Sequence, residues 1–299
     1  MAATRVLVAG ATGYLGRYVT RAFHRRGASV RALARSSGKL VDLADVIDDR
    51  FIGEVTDAES LRGACEGIDV VFSSIGLTRQ GRLTFMDVDY QANRNLLDEA
   101  LRCGVEKFVY ISVLTVPGME DLAVVRAKRK FLEDLRDCGI DHTVVCPNGY
   151  FSDMAEFLAM AARGRGYVFG DGSFRINPIH GADLAELCVT AALEENLREE
   201  SGSREIRAGG PDVLTHRQIL ELAFQALHRH PRITSVPRWI PRLITGVLRT
   251  FTPEWIYGPI EFFLTVLTRD LVAPAYGTHR LKDYFAELAE AESDRRKSE

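Results

Sequence analysis

Leu7-Val8-Ala9-Gly10-Ala11-Thr12-Gly13-Tyr14-Leu15-Gly16 is the stretch whose reading decides the fold. An apolar run from Val6 to Ala9 enters three glycines spaced three apart, and an amphipathic segment from Tyr14 to His24 follows. That order predicts a buried parallel strand, a tight turn and a helix N-terminus. In such a turn, backbone N–H groups and the helix dipole face an anion such as a pyrophosphate. Gly10 permits the sharp turn, Gly13 lets the backbone approach phosphates, and Gly16 lets the helix pack closely on the sheet. Thr12, Tyr14 and Leu15 complete the cradle. An ordinary strand-to-helix turn is the alternative. The strand before and the helix after favour the anion site.

Working outward, strand-like and helix-like patterns alternate. Apolar runs occur at Arg5–Gly10, Val30–Ala34, Asp69–Ile75, Lys107–Ser112 and His142–Cys146, with a weaker one near Arg50–Val55. Helical patterns lie between them at Tyr14–Arg26, Ala58–Glu66, Phe85–Cys103 and Leu122–Cys138, and Gly104 and Gly139 are placed to end the last two. Nearly continuous apolar strands separated by helices imply a parallel sheet covered on both faces, hence an α/β doubly wound (Rossmann) fold. Residues 1–150 read as the nucleotide-binding domain. Residues 151–299 read as a smaller, mainly helical substrate lobe, with elements near 175–210 returning to the sheet edge. In that half the expected elements are helix Ser152–Ala162, a glycine-rich stretch Gly164–Gly172, strand Arg175–Ile179, helix Ala182–Leu193, strand Glu205–Ala208 and helix His216–Leu227. The tail from Glu287 is highly charged and is expected to fray.

The chain has 299 residues, 46% hydrophobic and 26% charged, which is ample for a globular core. A net charge of −3 gives no reason to expect nucleic acid or an anionic membrane as partner. The five cysteines are scattered, form no CxxC or metal-like cluster, and fit reduced thiols in a cytoplasmic protein. The first strand begins almost at once, so no targeting segment is expected. No apolar run reaches the length of a membrane span. The segment 239–275 is nevertheless rich in large apolar residues, including Trp239, Trp255, Phe262, Phe263 and Leu267. It reads as a helical cap with one buried face; a lid over an apolar substrate and a peripheral membrane contact are the alternatives. Oligomeric state is left open.

In a doubly wound fold the end of the second strand meets the adenosine ribose, where a carboxylate suits NAD and a basic residue suits NADP. Here the strand ends Ala34-Arg35-Ser36-Ser37. Arg35 offers a bidentate fork to a 2′-phosphate and Ser36 a further donor, so NADP(H) is expected over NAD(H). Asp57 is placed to accept from the adenine amino group, or to cap the following helix. Ser73, Ser74, Ile75 and Gly76 end the fourth strand, where the backbone runs beside the cofactor.

Five stretches together resemble the atypical short-chain dehydrogenase/reductase superfamily, in its NmrA-like and divinyl chlorophyllide reductase-like branch. They are Gly10–Gly16, Val88-Asp89-Tyr90-Gln91-Ala92-Asn93, Phe108-Val109-Tyr110-Ile111-Ser112, Lys128 with Cys138–Val145, and Asn177–Ala185. The resemblance implies a serine at Ser112 that binds the substrate oxygen. It also implies a lysine at Lys128 that holds the nicotinamide ribose, and cofactor contact at Pro147. It places Val124 where better-known members carry a tyrosine as general acid. A valine carries no proton, so alcohol–ketone chemistry is disfavoured. Tyr150 and His180 are the other candidate catalytic groups. His180 alternatively caps its helix and holds Asp183. Asn93 orders the lysine region or faces solvent; Lys128 itself alternatively lies on a solvated charged face. Thr115 is a weaker hydroxyl candidate.

The leading expectation is an NADPH-dependent reductase acting on a small, apolar, conjugated acceptor. The rivals are a non-catalytic NADP(H)-binding sensor or assembly factor and a nucleotide-sugar epimerase or dehydratase. Val124 weighs against the last, which leans on the missing tyrosine.

Overall fold

The computed structural model describes residues 3–77, 81–194 and 205–298, with side chains to 294. β1 (Arg5–Ala9) runs into the glycine turn and α1 (Tyr14–Arg25). Then follow β2 (Ser29–Ala34), β3 (Asp49–Ile52), β4 (Val70–Ser73), α2 (Asn93–Arg102), β5 (Lys107–Ile111), α3 (Ala123–Asp137) and β6 (Asp141–Pro147). The sheet has the order β3-β2-β1-β4-β5-β6-β9, where β9 is Glu205–Ala208. From β3 to β6 every neighbouring pair is parallel. The doubly wound fold expected from the alternating pattern is what forms.

Strand order reverses between β1 and β4, so the carboxyl ends of these two strands open onto the crevice where such sheets bind ligands. Register fixes the neighbours there: Ala9 lies opposite Ser73, and Ser73 opposite Tyr110. Apart from Arg5 at the start of β1, the central strands are buried because helices cover both faces. Phe23 of α1 meets Phe72 edge-on on one face, and Phe131 of α3 meets Phe108 and Tyr110 on the other.

Two compact units are present. The first runs to Val113 and adds Pro117–Cys146 and Leu184–Ile206; the second holds Leu114–Val116, Pro147–Asp183 and the chain from Arg207 onward. The second unit contains α4 (Phe151–Ala162), β7 (Gly166–Phe169), β8 (Arg175–Ile176), the start of α5 (Gly181–Leu193), β10 (Leu214–Thr215), α6 (His216–Ala226), β11 (Ile233–Val236), α7 (Trp239–Phe251), α8 (Glu254–Val266) and α9 (Leu281–Ser298).

Several local expectations are corrected. The helix expected over Ala58–Glu66 is only a 3-10 turn at Glu59–Leu61. The Ser60 hydroxyl turns back to the carbonyls of Glu54 and Asp57, and Gly63 adopts φ +87°, so no helix can propagate. The helix expected from Phe85 opens as a π-helix at Met86–Ala92 before it continues as α2. The glycine-rich stretch hides β7, which pairs in parallel with β11. The strand expected over Arg175–Ile179 shrinks to the two residues of β8, paired with β10. The charged segment from Glu287 continues as α9. Segment 239–275 forms α7 and α8; among the described residues no helix is long and apolar enough to cross a membrane. The part of the 175–210 return at 195–204 lies outside the described residues.

Candidate functional site

The glycine turn is built as a cradle. Gly10 sits at φ +88°, and the Gly13 N–H donates to its carbonyl at 2.9 Å. Gly13 is the extended N-cap of α1; no side chain caps that terminus and no acidic residue lies in its first turn. A helix start without cap or carboxylate, lined by glycine, fits an anion bound through main-chain amides. Space explains the other glycines. A Cβ on Gly10 would stand 2.6 Å from Ser74 Oγ, and one on Gly16 would stand 2.0 Å from the Gly10 carbonyl oxygen. Gly16 therefore lets the helix close on the turn itself rather than on the sheet. Arg17 secures the back: its Nε donates to the Thr12 carbonyl at 3.2 Å, and Nη1 meets Asp42 at 2.8 Å. Leu15 is buried, and Tyr14 is half-buried with its ring edge-on to Tyr18.

Arg35 and Ser36 are exposed just past the end of β2, and Ser36 opens a 3-10 helix at Ser37–Leu43 that the sequence pattern did not suggest. Asp57 Oδ1 accepts from the Glu59 N–H at 3.1 Å, just ahead of Ala58, the N-cap of the short 3-10 turn.

The fourth strand ends in a buried network. Ser73 is fully buried and its hydroxyl donates to Asn93 Oδ1 at 2.6 Å. Asn93 Nδ2 donates onward to the carbonyls of Ile75, Val88 and Asp89. Asn93 is thus wholly buried, and the solvent-facing alternative is overturned. Ser74 is tied to the Ala9 carbonyl through both its N–H and its hydroxyl. In the π-helix, Asp89 spans two elements. Its Oδ2 accepts from the Leu77 N–H at 3.0 Å, and its Oδ1 lies 3.0 Å from Lys128 Nζ. A Cβ on Gly76 would come within 3.2 Å of Asp89 Oδ1 and 3.8 Å of Lys128 Nζ, so Gly76 lies directly against this pair.

Lys128 projects from α3 into the same pocket, where Nζ also donates to Tyr110 Oη and the Ile111 carbonyl, each at 3.3 Å. The solvated-face reading of Lys128 is overturned, since the residue is buried. Burial works against its ammonium, but Tyr110 and Asp89 outweigh that cost and hold Lys128 above its ordinary value. Burial pushes the Tyr110 phenol up to about 12, against the pull of Lys128. Val124 lies one turn before Lys128 on α3 and is also buried. Ser112 is buried directly after β5, its N–H donating to the Val145 carbonyl at 2.8 Å. Pro147 closes β6.

Asp89 and Tyr110 are the functional partners that motif reading quoted without assigning a role. Asp89 had a usable signal: it occupies the stripe Val88, Ala92, Asn93, Leu96 that faces the core, where an acid is costly unless paired.

In the second unit, Tyr150 is the N-cap of α4; its main chain bridges to Ile179 and its N–H donates to Asp153 Oδ2 at 3.1 Å. His180 Nδ1 accepts from the Ala182 N–H at 3.3 Å, and its ring stacks on His279 at 4.2 Å. Burial, then the neighbouring His279, pushes the His180 pKa down. Asp183 Oδ1 meets the ring Nδ1 of His279 at 2.7 Å. Thr115 is exposed. The structure thus brings Gly10, Ser73, Ser74, Ile75, Gly76 and Lys128 into one continuous network in the first unit; Tyr150 and His180 belong to the second.

Residues 10–195 match the family described as NAD(P)H-binding. The chain is similar to the divinyl chlorophyllide a 8-vinyl-reductase of Arabidopsis thaliana, 28% identical over 95% of this chain and 76% of that protein. It is also similar to the photosystem II assembly factor Ycf39 of Synechocystis, 26% identical over 85% of this chain and 76% of that protein. Among solved structures, an NADPH-dependent quinone oxidoreductase of Escherichia coli in complex with NADPH shares the fold. Its TM-score is 0.72 at 17% identity, over 95% of this chain and 99% of that one.

Proposed function

The chain belongs to the NAD(P)H-binding family, and on that premise we propose that it is a reductase that passes a hydride from NADPH to a small, apolar, conjugated acceptor. One observation carries this reading: a charged lysine held on a buried carboxylate, with a valine where a general acid would stand. A bound nicotinamide supplies the hydride. The residues of this chain hold and orient. The Gly10–Gly16 turn takes the diphosphate through main-chain amides, and the Ser73–Gly76 backbone flanks the ribose. Arg35 and Ser36 take the 2′-phosphate, which is the basis for NADPH over NADH. Residues 1–150 serve the cofactor and 151–299 the substrate.

Lys128 has three N–H donors and three acceptors already in place, so a ribose hydroxyl takes the position of one of the 3.3 Å partners. Ser112 offers a hydroxyl to a polar group of the acceptor. Val124 donates nothing, which suits an acceptor whose conjugated system spreads the incoming electron pair until water delivers the proton. The vinyl reductase among the relatives acts, by its name, on the 8-vinyl group of divinyl chlorophyllide a.

The test is oxidation of NADPH by a panel of quinones, enones and vinyl-porphyrin-like acceptors. Turnover with one of them, reduced at least tenfold in Lys128→Ala, is the expected result. Absence of turnover across the panel with cofactor binding intact overturns it. Val124 also favours a second reading, a non-catalytic NADP(H)-binding assembly factor, the kind of protein that Ycf39 is by name. That reading requires a partner protein to co-purify in a manner set by the cofactor's redox state.

A further inference from the structure

We propose that α7 is a docking face for an anionic lipid surface. The proposal stands on the second unit alone and does not rest on the reductase reading. α7 repeats large apolar residues four apart: Trp239, Leu243, Val247, and then Phe251. In a helix this spacing makes one stripe. Here the stripe points outward. Phe251 is 80% exposed, Trp239 61%, Leu243 56% and Val247 48%. The opposite face packs inward at Pro241, the one buried residue of the helix. Ile260 and Phe263 of α8 add further exposed apolar surface. A soluble partner-free surface does not keep a contiguous apolar stripe of this kind.

Charge identifies the occupant. Between Glu221 and Glu254 the sequence has no acidic residue, yet it carries Arg229, Arg232, Arg238, Arg242 and Arg249. This is a local basic run in a chain whose net charge is −3. At 100° per residue, Arg242 and Arg249 fall on the flank of α7 beside Trp239. Both are exposed. Arg249 is anchored to the buried Glu261 at 2.7 Å. Arg242 and Arg232 make no ion pair among the described residues. An apolar stripe with an aromatic at each end and an arginine flank matches a helix lying in a lipid interface, with Arg242 reaching anionic headgroups. A second copy of this chain is disfavoured as occupant because self-pairing brings two basic flanks together.

The experiment is flotation of the full chain with vesicles of phosphatidylcholine alone or of phosphatidylcholine mixed with phosphatidylglycerol. The protein is expected to float with the mixed vesicles, to be released by high salt, and to float poorly with the neutral ones. In a Trp255→Phe background, Trp239 fluorescence is expected to shift to the blue on binding. Phe251→Ser and Arg242→Glu each change an exposed side chain and are expected to weaken vesicle binding, by roughly tenfold and roughly thirtyfold, with NADPH affinity unchanged. No flotation with the mixed vesicles overturns the proposal. So does a concentration-dependent dimer, in the absence of vesicles, that Phe251→Ser abolishes. Loss of NADPH binding with flotation intact would instead strike the reductase reading and leave this one standing.

Discussion

The glycine turn and the lysine pocket lie at the same end of the sheet and are built in opposite ways. The turn works by leaving atoms out. Gly10 and Gly16 are there because a single Cβ would collide with Ser74 or with the Gly10 carbonyl. The lysine pocket works by adding side chains and then satisfying them. Asp89, Tyr110 and Lys128 come from a π-helix, a strand and a helix, and neither of the two charges, Asp89 and Lys128, is tolerable buried without the other. A backbone device is specified by a few consecutive residues; a charge device is specified by residues 18 and more apart. The two should therefore fail differently.

The sharpest contrast comes from Asp89→Ala. It leaves the Lys128 ammonium buried beside Tyr110 with its countercharge gone, and is expected to destabilise the fold by about 4 kcal/mol. Chemical unfolding measures it. Pairing the change with Lys128→Met removes the orphaned charge and is expected to restore most of that stability, without restoring turnover. If the double variant is no more stable than Asp89→Ala, the pocket is not organised around the ion pair.

The turn admits no such rescue. Gly16→Ala puts a methyl group 2.0 Å from a main-chain oxygen that cannot move without opening the turn. The expected cost is about 3 kcal/mol, with NADPH affinity lost in parallel, since the displaced atoms are those proposed to cradle the phosphates. Calorimetric titration with NADPH checks the second part. Wild-type affinity in that variant would separate the turn from the cofactor.

The same contrast explains what was legible in the sequence. Gly10, Gly13 and Gly16 carry their reason in their spacing, and the alternating apolar runs carry the sheet. Lys128 was legible through its resemblance, but its environment was not. Nothing next to Lys128 in the chain announces Asp89 or Tyr110, because the contacts form only when the π-helix, β5 and α3 are side by side. The acid in the core-facing stripe at Asp89 was the one local clue. The helix expected over Ala58–Glu66 failed for a related reason: the pattern favoured a helix, and the Ser60 hydroxyl and Gly63 decided against it. In the C-terminal half, apolar residues at 239–251 gave the helix but not the direction of its face, which is set by what the rest of the unit leaves uncovered.

An alkaline limit is expected of the pocket alone. Burial raises the Tyr110 pKa from 10.0 to about 12, so the folded protein keeps the phenol proton where the unfolded chain has released it. The contribution is fully present below pH 10 and is lost as pH rises toward the folded value. By pH 12 the loss is about 2 kcal/mol. Tyr110→Phe is expected to flatten the decline in unfolding free energy between these limits while lowering stability at neutral pH by about 1 kcal/mol, the value of a lost hydrogen bond. A decline of equal slope in the variant would mean that another group sets the limit.

Arg35 tests where the two modes of construction meet. Its position follows from the backbone, because β2 ends at Ala34 beside the crevice, but the selectivity proposed for it rests on a charged side chain in solvent. Solvent screening makes this the smallest of the expected effects. Arg35→Glu should weaken NADPH binding by roughly tenfold, through loss of the guanidinium fork and repulsion of the 2′-phosphate. NADH, which has a hydroxyl there, should change by less than about twofold. Parallel titrations with the two nucleotides read the difference. Equal losses would mean that Arg35 acts on the shape of the Ser36–Leu43 segment and not on the phosphate. An unchanged NADPH affinity would move the preference away from the end of β2 altogether.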